Sequence, residues 1–127
     1  MIKLHALIAA AFLTMSVPAA AGEEHGHERA HHGGMAVEVR EVDFEMVTAA
    51  DTVTIYVRDH NKPVSTAGAK GKVTVLSGTE KSEAPLVAAG ENKLESKGNF
   101  TLSKGTKVVA LVELPGRKPF NVRFALK

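Results

Sequence analysis

An antiparallel all-β domain is what this sequence predicts, and three observations lead there. After position 35 the apolar residues recur at every second position. No window in that region sustains a helical period over three turns. Gly and Pro punctuate the apolar runs at spacings of roughly 8–12 residues. Together these describe a sandwich or barrel of short strands.

Taken in order, Val37 and Val39 alternate with Glu38 and Arg40, and Val42, Phe44 and Met46 alternate with Asp43 and Glu45. The apolar parity switches between 39 and 42, which calls for a bulge or a tight turn. Asp43 and Glu45 fall on the outward positions of this pattern. Val53, Ile55 and Val57 then alternate with polar residues as a half-buried strand, and Asp59-His60-Asn61-Lys62-Pro63 has the composition of a turn. Val73 and Val75 mark the next strand, ended by Ser77-Gly78. The stretch from Ala84 to Ala89 is weaker, because Pro85 confines it to an edge or a loop. Val108 to Leu114 is apolar on both faces, as a central strand should be. Phe120, Val122, Phe124 and Leu126 form the last alternating run. The expected core comprises Val53, Ile55, Val57, Val73, Val75, Val108, Val112, Val122 and Phe124.

The 127 residues have room for one such domain, at 35–127, and two segments precede it. Lys3, the apolar run from Leu4 to Met15 and the small-residue stretch Ala19-Ala20-Ala21-Gly22 have the organisation of a secretory signal peptide over residues 1–21. The run is shorter than the roughly 20 apolar residues a membrane span requires, so no span is expected after cleavage. Residues 22–34, GEEHGHERAHHGG, are charged, His-rich and almost free of large apolar side chains. Such a stretch buries too little to offset the entropy of ordering it, and a mobile tail is the expectation.

Composition excludes several functions. The chain has no cysteine, which removes disulfides, thiolate metal sites and cysteine nucleophiles. A formal charge of +2, one unit lower once Lys3 leaves, and the lack of a basic face interleaved with aromatics argue against nucleic acid. Gly68-Ala69-Lys70-Gly71-Lys72-Val73 lacks the first glycine and the final Ser/Thr of a phosphate loop. Neither Gly-x-Ser-x-Gly nor His-Glu-x-x-His is present, and the expectation is a protein that is not an enzyme.

The histidines are unevenly placed. His25, His27, His31 and His32 fall within eight residues, and His60 alone lies in the β domain. Imidazole suits copper, zinc, nickel and related ions, and the tail could wrap an ion without a preformed cavity. The structural alternative is a solvated linker that happens to be His-rich. Met35 either adds a thioether suited to Cu(I) or simply opens the first strand. His60, beside Asp59, either completes a site with the tail or is a turn residue in water. Cleavage after Ala21, the expected cut, places His25 fourth from the new amine and favours loose multi-histidine binding, whereas cleavage after Gly22 would place it third and form a planar Cu(II) or Ni(II) chelate.

His32-Gly33-Gly34, Phe44-Glu45-Met46-Val47, the run Val53-Thr54-Ile55-Tyr56-Val57-Arg58-Asp59-His60-Asn61-Lys62-Pro63-Val64, Gly68-Ala69 and Val73-Thr74-Val75-Leu76-Ser77-Gly78 resemble a small secreted bacterial domain. That domain is associated with heavy-metal efflux and copper-resistance gene clusters, alone or joined to periplasmic efflux adaptor subunits. The likeness extends over most of residues 32–126. A looser resemblance, to immunoglobulin-like β-sandwiches with an Asp-x-x-Gly-Lys-Pro-Val turn, has Asn61 where glycine is usual; Asn tolerates the left-handed conformation well. These resemblances imply an immunoglobulin-like sandwich in the periplasm. They also imply a metal context, with copper favoured over zinc, nickel or cobalt, and an efflux adaptor or other envelope protein as partner. Two functions follow: a metal-handling accessory protein, or a non-enzymatic interaction module of an envelope complex with an incidental His-rich linker.

Overall fold

The computed structural model describes residues 30–127. The expected leader and the first part of the His-rich stretch, including His25 and His27, lie outside the described residues. Among the described residues there are nine strands and no helix: β1 (Met35–Val39), β2 (Val42–Ala49), β3 (Thr52–Asp59), β4 (Lys62–Pro63), β5 (Lys70–Ser77), β6 (Glu80–Ala88), β7 (Lys93–Lys97), β8 (Lys107–Glu113) and β9 (Phe120–Ala125). They form one antiparallel sheet in the order β1-β2-β3-β7-β6-β5-β8-β9, with β4 paired to β3. The terminal strands β1 and β9 also pack against each other, so the sheet is nearly closed. Arg40 clips one end of that seam. Its guanidinium donates to the carbonyls of Lys118 and Pro119 and lies 4.0 Å over the Phe120 ring.

The parity switch between 39 and 42 is a two-residue hairpin turn. Arg40 and Glu41 both have positive φ, 48° and 68°, as do His60 and Asn61 at 49° and 66° between β3 and β4. Such turns match the right-handed twist of the strands they join. Inside the sheet the apolar positions interlock. All nine core residues expected from the alternation are buried, joined by Phe44, Met46, Leu86, Leu94, Ala110 and Phe120. The Lys70-Gly71-Lys72 segment is ordinary strand within β5.

Of the two alternatives for the stretch around Pro85, an edge or a loop, the structure takes the edge, while β7 is a strand that the sequence reading lacks. The weak stretch around Pro85 is part of the nine-residue β6. At Pro85 this strand pairs only with β5, and β7 joins it first at Val87, so a residue without an amide hydrogen sits at a local edge. Strand β7 carried too weak a signal to be recognised. In Lys-Leu-Glu-Ser-Lys the inward residues are Leu94 and the small polar Ser96, a single apolar side chain.

Candidate functional site

The outer face of β2 is the unusual surface of the molecule. Val42, Phe44 and Met46 point into the core, yet their outward neighbours Asp43 and Glu45 are also buried, with relative exposures of 5 % and 2 %. Glu45 is outward by strand parity, as its alternation predicts, yet shielded from solvent. The segment just before β1 covers it.

That cover is built from the sequence His31-His32-Gly33-Gly34. Gly33 adopts φ +75°, and a Cβ at position 34 would collide with the carbonyl oxygen of Met46. The two glycines thus let the chain turn tightly over β2. On the β1 side, the residue opposite Glu45 is Ala36, whose methyl leaves the carboxylate reachable from above. Three backbone amides then converge on Glu45: His31 donates to Oε1 at 2.9 Å, His32 to Oε2 at 2.7 Å and Gly34 to Oε2 at 2.9 Å. The His32 ring adds a fourth contact, Nδ1 to Oε1 at 3.0 Å. An ionised carboxylate has about four acceptor positions, and this one is filled. Arg58 contributes a longer ion pair at 3.6 Å.

Burial by itself would raise the Glu45 pKa. The His32 ring and the amides of Gly34, His31 and His32 oppose and exceed it, lowering the value from 4.5 to about 2. The imidazole is also fixed in orientation. Tyr56, opposite Glu45 on β3, stacks flat against His32 with ring centroids 3.6 Å apart and planes inclined by 6°. Residues 31–34, assigned by composition to a mobile tail, are thus held on the domain; one buried carboxylate supplies acceptors that apolar patterning does not reveal.

The other sequence candidates are dispersed. Met35 pairs with Met46 across the β1–β2 ladder and packs against the core, on the opposite face of the sheet from the His32–Tyr56 stack. His31 is exposed, next to the clasp. His60 stands in the β3–β4 turn, with Nδ1 2.6 Å from Asp59 and Nε2 4.0 Å from Glu41. Asp59 pairs with Val42, three positions along β2 from Glu45, a separation of about 10 Å of strand. The described residues therefore do not unite Met35, His32 and His60. Nor do they contain a group of three or more His, Asp or Glu arranged to hold a metal.

A groove of about 500 Å³ lies between Pro63, Thr66, Ala88 and Asn92, with Glu91 on its wall. Its polar residues support the fold: Thr66 donates to the carbonyls of Glu91 and Lys93, and Asn92 to that of Val57. It brings no imidazole to the His32 cluster. Comparison with protein-family models, curated proteins and solved structures finds no match.

Proposed function

We propose that the protein is a periplasmic accessory protein that binds and hands on a transition-metal ion, with the His-rich stretch as the collecting element and the β domain as its carrier. Copper is the favoured ion, with zinc, nickel or cobalt as alternatives, and an efflux adaptor is the favoured protein partner. Export rests on the signal-like residues 1–21.

The observation that carries this reading is the junction between stretch and domain. Four histidines fall within eight residues, and the last of them is the one whose ring is gripped by a buried carboxylate and a tyrosine. A merely incidental linker would need neither contact. We also read the nearly closed sheet as two packed halves of an immunoglobulin-like sandwich. Supporting this, β6 and β7 share only two residue pairs, while β1 and β9 meet without a ladder.

The test is metal analysis of untagged protein recovered from its own periplasm, with titration of the exported chain alongside. Replacing His25, His27, His31 and His32 together should remove most binding, and acidification should release the ion as protons take the imidazole nitrogens. Full retention of binding by the fourfold variant would refute the reading.

A further inference from the structure

We infer that His32 is the anchored ligand of this metal site and binds through Nε2, with Glu45 as the positioning residue that dictates which ring nitrogen faces outward. The inference rests on the metal-handling function proposed above and names its geometry.

The argument begins with what Glu45 can do. An ionised carboxylate accepts hydrogen bonds and donates none. Glu45 already accepts from three amides, so it is held in the ionised form. Its 3.0 Å contact to His32 Nδ1 therefore requires the proton to sit on Nδ1. A neutral imidazole with its proton there carries a lone pair on Nε2. Among the described residues no group bonds to that nitrogen, and the His32 side chain keeps 35 % of its surface exposed. The stack on Tyr56 holds the ring plane. A carboxylate on one imidazole nitrogen with the other left open is the arrangement that orients metal-ligating histidines and raises their basicity.

The same clasp restricts the kind of coordination. Square-planar Cu(II) or Ni(II) binding by a peptide uses deprotonated backbone amides beside an imidazole. The amides of His31 and His32 are both committed to Glu45. At this end of the stretch the ion must be held by imidazole side chains, an all-nitrogen set that tetrahedral Zn(II) accepts well. Among the described residues His31, exposed beside the clasp, is the companion imidazole.

The experiment is long-range ¹H–¹⁵N correlation spectroscopy of the uniformly labelled exported chain at mildly alkaline pH, without metal and then with one equivalent of Zn(II). The metal-free spectrum should show His32 with Nδ1 protonated and Nε2 bare. Zinc should then move the Nε2 resonance while Nδ1 keeps its proton. Glu45→Gln should weaken zinc binding by about 10–100-fold, whereas His60→Ala should leave it unchanged. If Glu45→Gln does not fold, the two wild-type spectra decide the matter. A metal-free ring protonated on Nε2 would overturn the inference. So would zinc that binds while the His32 resonances stay in place, in which case the proposed function survives without this site. A chain that binds no zinc, copper, nickel or cobalt would overturn the proposed function and the inference together.

Discussion

Two histidines of this domain each set Nδ1 against a carboxylate, and they differ in almost everything else. His60 meets Asp59 at 2.6 Å in a turn where the two side chains are 68 % and 28 % exposed. His32 meets Glu45 at the longer distance of 3.0 Å, but Glu45 is 2 % exposed. The shorter contact is the weaker constraint. Water can replace either partner in the turn, and an exposed pair of this kind contributes little. At Glu45 water is excluded, three amides share the same carboxylate, and loss of any part leaves buried groups unpaired. The hydrogen bond from His60, followed by that from Arg117, holds the Asp59 carboxyl below the usual range. In that solvated setting the shift says little about folding.

The largest effect that would sharpen this contrast is expected from Glu45→Ala. It strips the acceptor from three amides and an imidazole and leaves Arg58, itself only 11 % exposed, without its carboxylate. A loss of about 3–5 kcal/mol is expected in denaturant unfolding of the metal-free chain. A loss under about 1 kcal/mol would put Glu45 in the same class as Asp59.

Acid should expose the clasp next. Glu45 ionises near 2 in the folded protein, against 4.5 for the ordinary group. Its contribution is therefore complete above pH 4.5 and disappears as the pH falls toward 2. The amount at stake is on the order of 3 kcal/mol. Unfolding curves collected through this window should lose stability in the wild type and stay flatter in Glu45→Gln.

Truncation gives a smaller effect. A chain starting at Met35 lacks the His31, His32 and Gly34 donors and should lose about 1–3 kcal/mol relative to one starting at Ala30. Equal midpoints for the two would mean that residues 31–34 do not contribute to the fold. Smallest of all is His60→Ala, expected within about 0.5 kcal/mol of wild type, as for exposed substitutions generally.

The β domain was legible because its signal is carried by the apolar residues themselves. Val53, Ile55 and Val57, or Phe120, Val122 and Phe124, alternate so regularly that face and register follow. β7 was not, since Leu94 alone marks its inner side. The clasp was hidden for a different reason. A period-two pattern sorts residues into inward and outward, and it placed Glu45 outward correctly. It carries no information about whether another segment lies over that outward face. The available hint was the Gly33-Gly34 pair after His32, which reads equally as a flexible hinge or as a turn tight enough to bring backbone amides onto a carboxylate. Only the second chain segment distinguishes them, and it is a long-range partner, eleven residues or more away in sequence. Met35 shows the converse. Adjacent to Gly34 in sequence, it is separated from the imidazoles by the sheet itself, since strand parity turns it inward.

Amide hydrogen exchange of the metal-free chain tests the central claim, that His31 to Gly34 belong to the folded domain through Glu45, most directly. The amides of His31, His32 and Gly34 should exchange at least roughly tenfold more slowly than in a free peptide of the same sequence, since they open only when the clasp does. In Glu45→Gln that protection should fall while the amides within β8 keep theirs. Exchange of all three at free-peptide rates in the wild type, with β8 fully protected, would contradict the account.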